Sequence, residues 1–399
     1  MERAPTLPAS LDRSALDAVL APFGESALLP AAAYLDPEVL AWERRQFFDA
    51  GWVCVGRADE LAATGAQRAV SVGSGSVLLV RGGDGGLRAF ANLCRHRGHE
   101  LLACGAATSR GVVQCPYHAW TYELDGALRL APRVGIDVDR DTLGLVPVRL
   151  HVWQGWVFVN ADGAAPPFEQ HAGALHDLLD PWGCAELRVG ATHVYELEGN
   201  WKLACENYHE CYHCPLIHPE LCRVTVASSG DNYRTDPGAF VGGTMALAAG
   251  AESMSLSGRA VGRVRPGLSA AQARQVVYVQ LFPNLLVALH PDYVLTHRIE
   301  PLGPASTRIE CQWLFDPTDL ADPQFDPRDA IELWDVTNRQ DWQAVESVQR
   351  GVASPWYRPG VLAHDEDAVY QFITMVAAGY LGRPLVRGSI PTGYARQTW

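Results

Sequence analysis

Several things are missing from this chain of 399 residues. No stretch approaches the roughly 20 consecutive apolar residues that span a membrane. The opening residues, Met1-Glu2-Arg3-Ala4-Pro5, lack the basic-then-apolar run of a secretory signal, so a cytoplasmic location is expected. Basic residues are scarce: 32 Lys and Arg face 45 Asp and Glu, giving a formal charge of −13. That balance argues against nucleic acid as the main ligand, because phosphate neutralisation needs a basic surface. No Gly-x-Gly-x-x-Gly opens a helix after a strand, so the chain carries no dinucleotide-binding fingerprint. No internal repeat is found. The ten cysteines show no disulfide framework.

What is present is a globular composition, 48% apolar and 19% charged, in a chain long enough for two domains with separate cores. Residues 1 to about 50 read as helical and irregular, with Pro37 to Glu43 as the best helix. From Trp52 to about Phe158 the signal is short strands divided by Gly-rich turns. Ala69 to Val72, Ser76 to Arg81 and Leu87 to Asn92 are such runs, and Trp120 to Leu128 reads as strand, Asp-Gly turn and strand. After Ala161, strands at 194–197, 276–281, 285–289 and 307–314 alternate with helical segments at Trp201 to Cys214 and Pro327 to Arg350. The expected fold class is α+β: a small antiparallel β domain (49–160), a larger domain with helices packed on an antiparallel sheet (161–399), and an N-terminal helical arm (1–48) packing with the larger one. Ser228 to Ser269, rich in Gly, Ala and Ser, reads as a mobile or partly ordered segment of the kind that forms lids.

Two loops of the small domain carry chemistry. Cys94-Arg95-His96 and Cys115-Pro116-Tyr117-His118 each offer one thiolate and one imidazole. Two Cys and two His close a zinc site or hold a [2Fe–2S] cluster with both His on one iron. Zinc fingers usually pair Cys with Cys and His with His along the chain, whereas each loop here mixes the two, so the spacing favours the cluster. Imidazole ligation raises the potential relative to an all-Cys cluster and suits one-electron relay.

A second metal-binding run follows at 200–218, where His209, His213 and His218 fall close together. Read as a helix, Asn207, Glu210 and His213 share one side, Pro215 ends or bends it, and the bend returns His218 towards His213. His209 lies off that line and is the weaker ligand. Two His and one carboxylate make the facial set of non-haem iron oxygenases. Asp335, Asp341 and Glu346 on the late helix all offer a carboxylate, and spacing does not choose among them. Cys211 and Cys214 form a Cys-x-x-Cys, a dithiol spacing. Here it lies inside the metal run, and the cysteines beyond Cys94 and Cys115 are expected to be free thiols.

By these residues the chain resembles the catalytic α subunit of Rieske non-haem iron oxygenases. Asn92-Leu93-Cys94-Arg95-His96-Arg97-Gly98 and Cys115-Pro116-Tyr117-His118-Ala119-Trp120 look like the family's cluster loops, with Ala119 where Gly is more usual. Asn200-Trp201-Lys202 and Glu206 to His213 look like its iron helix. The resemblance implies Cys94, His96, Cys115 and His118 as cluster ligands, and His213, His218 and Asp341 as ligands of a mononuclear Fe(II). Asp341 is favoured because it precedes an acid, Glu346, by the family's interval. Glu210 would link the two metal centres across subunits, and Asn207 would sit beside the iron without ligating it. A helix-grip catalytic domain, a homotrimer, O2 as co-substrate, and NAD(P)H oxidised by a separate flavin/ferredoxin-type reductase are implied as well. Glu210 to Pro215, Pro283 to Leu286, Leu289 to Val294 and Asn338 to Trp342 are most similar to enzymes acting on N-methylated ammonium compounds.

The implied reaction is oxidative N-demethylation. The alternative within the class is a ring-hydroxylating or biosynthetic tailoring hydroxylase. A Rieske ferredoxin and a zinc-stabilised binding module are the competing classes, and the length and the Glu210/His213/His218 set speak against a simple carrier. Tyr208, Tyr278, Trp313 and Tyr293 are candidates to face an ammonium group. His99, His290 and His297 read as structural, and Trp120 and Trp201 as core filling near the metals.

Overall fold

The computed structural model describes residues 7–134, 139–234 and 236–391. Its contacts divide the chain into two compact units, Glu43–Phe168 and the combination of Met1–Trp42 with Glu169–Trp399.

The first unit is built from short strands. β1 (Val53–Arg57), β2 (Ala66–Val72), β3 (Gly75–Arg81), β4 (Leu87–Ala91), β5 (Ala107–Ser109), β9 (Pro147–Trp153) and β10 (Trp156–Asn160) form an antiparallel sheet in the order β1-β10-β9-β4-β3-β2-β5. A three-stranded sheet, β6 (Val113–Gln114), β7 (Thr121–Tyr122) and β8 (Leu128–Leu130), completes it. Its core gathers Leu78, Val80, Phe90, Val113, Tyr122 and Leu128 under Cys94 and Cys115. The Asp125-Gly126 turn between β7 and β8 needs its glycine: φ is +93°, and a Cβ there would meet the Phe90 ring at 2.5 Å.

The second unit holds one antiparallel sheet, ordered β11-β17-β16-β15-β14-β13-β12. Its strands are β11 (Arg188–Leu197), β12 (Asp231–Asn232), β13 (Phe240–Ala246), β14 (Gln275–Leu281), β15 (Leu285–Leu289), β16 (Val294–Gly303) and β17 (Ser306–Phe315). The arm supplies α1 (Arg13–Val19) and α2 (Pro37–Glu43), and the remainder supplies α3 (Trp201–Tyr208), α4 (Cys214–Ile217), α5 (Arg328–Val352) and α6 (Asp367–Tyr380). α5 buries Ala330, Leu333, Trp334, Thr337, Asn338 and Val345, a stripe at three- and four-residue intervals. The stripe lies on the sheet, where Trp334 Nε1 donates to Tyr293 Oη at 2.7 Å and His297 Nε2 meets Asn338 Oδ1 at 3.1 Å. The arm is tied to this unit through Tyr34, whose hydroxyl donates to Glu206 at 2.8 Å and whose carbonyl accepts from Asn200 Nδ2 at 3.0 Å. Lys202, the only lysine of the chain, is fully buried beside them, its Nζ 5.6 Å from the Tyr34 ring centre. No described helix is long and apolar enough to cross a membrane.

Two expectations need correction. The helix expected from Trp201 to Cys214 stops at Tyr208, and residues 209–213 form a turn. Pro215 therefore opens α4 instead of ending a helix; its missing N–H costs nothing in a first turn. The 228–269 segment is not a loose loop. Its first half enters the sheet as β12 and β13, and its second half is pinned to the acids Asp292 and Asp316. Asp292 accepts from Val261 N at 2.8 Å and Gly262 N at 3.1 Å, and Arg265 pairs with Asp316 at 2.6 Å. Burial pushes the Asp292 carboxyl up to about 6, while Ser253 and these amides oppose it.

Candidate functional site

The two Cys/His loops of the first unit are built alike. Cys94 N donates to His99 O at 2.8 Å and Gly98 N to Cys94 O at 3.0 Å. Five residues apart in the same way, Cys115 N donates to Trp120 O at 2.8 Å, and Ala119 N to Cys115 O at 3.1 Å. The residue four past each Cys is left-handed: φ is +70° at Gly98 and +57° at Ala119. Ala119 thus occupies a position where glycine is unstrained and alanine is not. The thiols are buried (Cys94 3%, Cys115 2%) while His96 and His118 are exposed, their ring centres 4.7 Å apart. His96 stacks on Trp120 at 5.0 Å, and Tyr122 Oη lies 3.3 Å from Cys94 Sγ while accepting from Arg95 N.

Burial and the neighbouring Cys115 push the Cys94 thiol up, against the Tyr122 hydrogen bond. Two buried cysteines and two exposed imidazoles make up the donor set. These donors fit a cluster with sulfur ligands on the inner side and nitrogen ligands on the outer side.

In the second unit, the turn after α3 carries Glu210 and His213. One Glu210 oxygen accepts from Tyr212 N at 2.6 Å and His213 N at 3.2 Å; the other meets His213 Nδ1. The single turn of α4 returns the chain to His218, whose Nδ1 faces Gln340 Oε1 at 2.7 Å. With both Nδ1 atoms turned to these oxygens, both Nε2 atoms point inward. They stand 3.1 Å apart, and Asp341 Oδ1 lies 2.9 Å from one and 3.3 Å from the other. Cis ligands on an octahedral ion with ~2.1 Å bonds stand roughly 3.0 Å apart, so the three donors suit one metal ion.

The charges agree. Burial disfavours the His213 imidazolium, but Asp341 and Glu210 overcome it and raise the ring to about 10. Burial likewise opposes the Asp341 carboxylate, yet the two imidazoles hold it below its ordinary value. The pocket is arranged for positive charge.

The structure separates the three candidate acids of α5, Asp335, Asp341 and Glu346. Only Asp341 reaches the imidazoles. Asp335 accepts from Tyr195 Oη at 2.7 Å and pairs with Arg339 at 2.8 Å, while Glu346 accepts from Glu198 N at 3.3 Å. At 100° per residue, Asp335 and Glu346 point elsewhere. His209 is a core residue, its Nε2 2.7 Å from Gln280 Oε1, and burial depresses it to about 4. His297 is likewise buried and depressed to about 4. His290 is buried and stacks on Tyr293 at 4.0 Å, its ring nitrogens without a hydrogen-bond partner among the described residues.

A cavity of about 740 Å³, counting its open mouth, adjoins the imidazoles and Asp341. Asn207, Tyr208, Tyr278 and Trp334 are among its walls. Tyr208 and Tyr278 lie 6.0 Å apart, and Tyr278 and Trp334 6.3 Å. Trp313 and Tyr293 are not on its wall: Tyr293 lies behind Trp334, and Trp313 packs on His193. Trp334 is the member that sequence reasoning missed, although it sits two turns before Asp341 on the same stripe. Cys211 and Cys214, expected as free thiols, are joined as a disulfide at the cavity's edge, their Cα atoms 4.9 Å apart. The turn of residues 211–213 brings the two sulfurs together.

Paired Cys/His loops in one unit, and two imidazoles facing a carboxylate on a helix-covered sheet in the other, define an iron-dependent oxygenase. The model of the Rieske [2Fe–2S] domain matches residues 51–138, and that of the ring-hydroxylating alpha subunit catalytic domain matches 184–382. The glycine betaine monooxygenase oxygenase subunit of Chromohalobacter salexigens is 31% identical over 384 residues, covering 89% of this chain and 86% of that one. The carnitine monooxygenase oxygenase subunit of Escherichia coli (strain K12) is 39% identical over 201 residues, 49% of this chain and 53% of that one. Among solved structures, the quaternary ammonium Rieske monooxygenase CntA superposes with a TM-score of 0.78 at 25% identity, covering 95% and 100% of the two chains. Naphthalene 1,2-dioxygenase from Rhodococcus sp. shares the fold, with a TM-score of 0.73 at 19% identity over 93% and 96%. The chain belongs to the Rieske-type ring-hydroxylating oxygenase family and corresponds to its catalytic α subunit. It is an oxidoreductase whose family uses a [2Fe–2S] cluster, non-haem iron, O2, and NAD(P)H through a partner reductase.

Proposed function

We propose that this chain is the oxygenase component of a monooxygenase that demethylates a small N-methylated ammonium compound. The observation that carries the proposal is the cavity in which Tyr208, Tyr278 and Trp334 open beside His213, His218 and Asp341. Aromatic faces attract a quaternary ammonium group through the ring quadrupole, and the cost of desolvating such a cation is modest. Relatives named for glycine betaine and carnitine support the same class.

In this reading Cys94, His96, Cys115 and His118 hold the cluster, and His213, His218 and Asp341 hold the iron. The bound iron supplies dioxygen activation beside the substrate. Insertion of one oxygen into an N-methyl C–H bond would give an N-hydroxymethyl ammonium that releases formaldehyde and a proton to leave the amine, while two electrons and two protons reduce the second oxygen to water. Glu210 and Gln340 keep the two imidazoles in the tautomer that points Nε2 inward. Asn207 lines the cavity and would orient the substrate.

Assembly as a homotrimer would bring His118 of one subunit to Glu210 of the next, a carboxylate junction able to accept from both imidazole N–H groups. Cytoplasmic residence suits a chain fed from NAD(P)H. The test is formaldehyde release with a generic ferredoxin-type reductase across betaines, choline, carnitine and N-methyl amino acids. Formaldehyde in step with reductant consumption for at least one ammonium compound is expected. Hydroxylated aromatic acids, with no formaldehyde from any N-methyl compound, would contradict it.

A further inference from the structure

A run of aromatic rings leaves the metal pocket beside α5. Tyr208, on the cavity wall, lies 6.1 Å from His297 between ring centres; His297 lies 6.4 Å from Trp342, and Trp342 5.9 Å from Tyr195. Trp342 directly follows Asp341 in the chain, so it adjoins a proposed iron ligand. The run ends near solvent. Tyr195 is 8% exposed, and the side chains of His193 and Asp335 beside it are 39% and 25% exposed.

The members differ in where a proton can go. Trp342 Nε1 has no hydrogen-bond partner among the described residues. An indole so placed keeps its proton on losing an electron, and the positive charge moves on. Tyr195 Oη donates to Asp335 Oδ1 at 2.7 Å. A phenol that loses an electron becomes a strong acid, and the carboxylate takes its proton along the existing bond. Burial opposes the Asp335 carboxylate, yet Arg339 and Tyr195 hold its pKa below the ordinary value, so the base is present at neutral pH. The Arg339 guanidinium, 5.9 Å from the Tyr195 ring centre, repels a radical cation but not the neutral radical left once the proton has moved. A second run from the pocket, through Tyr278 and Trp334 to Tyr293, ends differently. Tyr293 is fully buried, and its hydroxyl donates to the Met254 carbonyl, which is no base.

We propose that Tyr208, His297, Trp342 and Tyr195 carry single electrons from Tyr195 to the metal pocket when it is oxidised without substrate, giving the protein a thiol-dependent peroxide reductase activity that spares its iron ligands. The proposal rests on the reading of His213, His218 and Asp341 as the iron site.

The step balances. Dioxygen reduced by two electrons and two protons without substrate gives hydrogen peroxide. Peroxide needs two more electrons and two protons to become water, and no substrate C–H bond is there to give them. Tyr195 gives one electron at a time, and Asp335 holds its phenolic proton. A small thiol then reduces the tyrosyl radical, Asp335 returns the proton, and the thiol releases its own. Two thiyl radicals join as a disulfide. The sum is one peroxide and two thiols giving two waters and one disulfide. His297 is not itself oxidised; it fills the space between Tyr208 and Trp342.

The test uses the full chain with its cluster oxidised and ferrous iron bound. Hydrogen peroxide is the probe, and samples are freeze-quenched for electron paramagnetic resonance. Iron and sulfide content verifies the loading of each variant. Wild-type protein should show a tyrosyl signal that narrows when its tyrosines are ring-deuterated, and added thiol should erase it. Tyr195→Phe and Trp342→Phe should lose the signal and accumulate oxidised Tyr208 and Trp334 in peptide mass spectra. Asp335→Asn, which keeps the Tyr195 ring but removes the base, should lose the signal too, and Asp335→Glu should regain it. Iron-dependent peroxide loss with no tyrosyl signal, or with one undiminished in Tyr195→Phe, would overturn the proposal and leave the iron site standing. The same tyrosyl signal in iron-free protein would overturn it as well. Peroxide lost no faster with iron than without would remove the iron-site reading along with the proposal.

Discussion

The paired Cys/His loops and the His213/His218/Asp341 set, the two proposed iron sites, are assembled by opposite routes. In the first unit all four candidate ligands come from two short loops with matching hydrogen-bond patterns, and the imidazoles face outward. In the second, the donors come from a turn, the end of α4 and the middle of α5, with His218 and Asp341 123 positions apart in the chain, and His218 is 1% exposed. The first site is local and depends on loop geometry. The second is assembled by the tertiary fold and depends on neighbours that fix each ring, Glu210 for His213 and Gln340 for His218.

The sharpest way to break this contrast is to remove ligands one site at a time. His213→Ala or Asp341→Ala should abolish product formation, by roughly a thousandfold or more, while the visible spectrum of the cluster persists. Cys115→Ser should erase that spectrum and leave the mononuclear iron bound. If either substitution empties both sites, the two are not independent. Glu210→Gln keeps a hydrogen-bonding group but loses the charge. Both metals should remain, and turnover should fall by about a hundredfold in single-turnover and steady-state assays. Near-normal rates would remove Glu210 from the electron path. Gln340→Leu deletes only the partner of His218 Nδ1, and iron affinity should drop about 10- to 100-fold, read by chelator competition.

The same contrast explains what could be read from the chain beforehand. Cys94, His96, Cys115 and His118 lie in two contiguous motifs, so spacing alone exposes them. The α+β organisation was also legible, because β3, β14, β15 and β17 are plain β-branched and apolar runs. The mononuclear site was harder. His213 and His218 stand out by residue type, but the helix expected there was too long, since Glu210 caps a turn and Pro215 begins a new helix. Asp341 was chosen by resemblance, yet a physical signal existed. It falls on the buried stripe of α5 between Asn338 and Val345, where an apolar residue is expected, while Asp335 and Glu346 lie off that stripe. The Cys211–Cys214 bond and the place of Trp334 depend on how the turn and helix pack, which spacing does not reveal.

Smaller effects sharpen the comparison further. His209 and His297 are held neutral in the second unit, with folded values near 4 against an ordinary value of about 6.5. Between those values the unfolded chain binds more protons, so stability rises with pH there and is lost as pH falls from about 6.5 through 4. Chemical denaturation at stepped pH should show this loss, and His209→Gln should flatten part of it. In the first unit, Ala119→Gly relieves a left-handed alanine and should stabilise the cluster loop by about 1 kcal/mol, seen as slower cluster loss on heating.

Iron and acid-labile sulfide analysis of anaerobically purified protein, combined with Mössbauer spectroscopy of the His213→Ala/His218→Ala double variant, tests the two-site account most directly. The account predicts about three irons and about two sulfides per wild-type chain, with the variant losing only the single high-spin ferrous component. A wild-type protein without labile sulfide, or a double variant that keeps its full iron complement and its oxygenase activity, would contradict it.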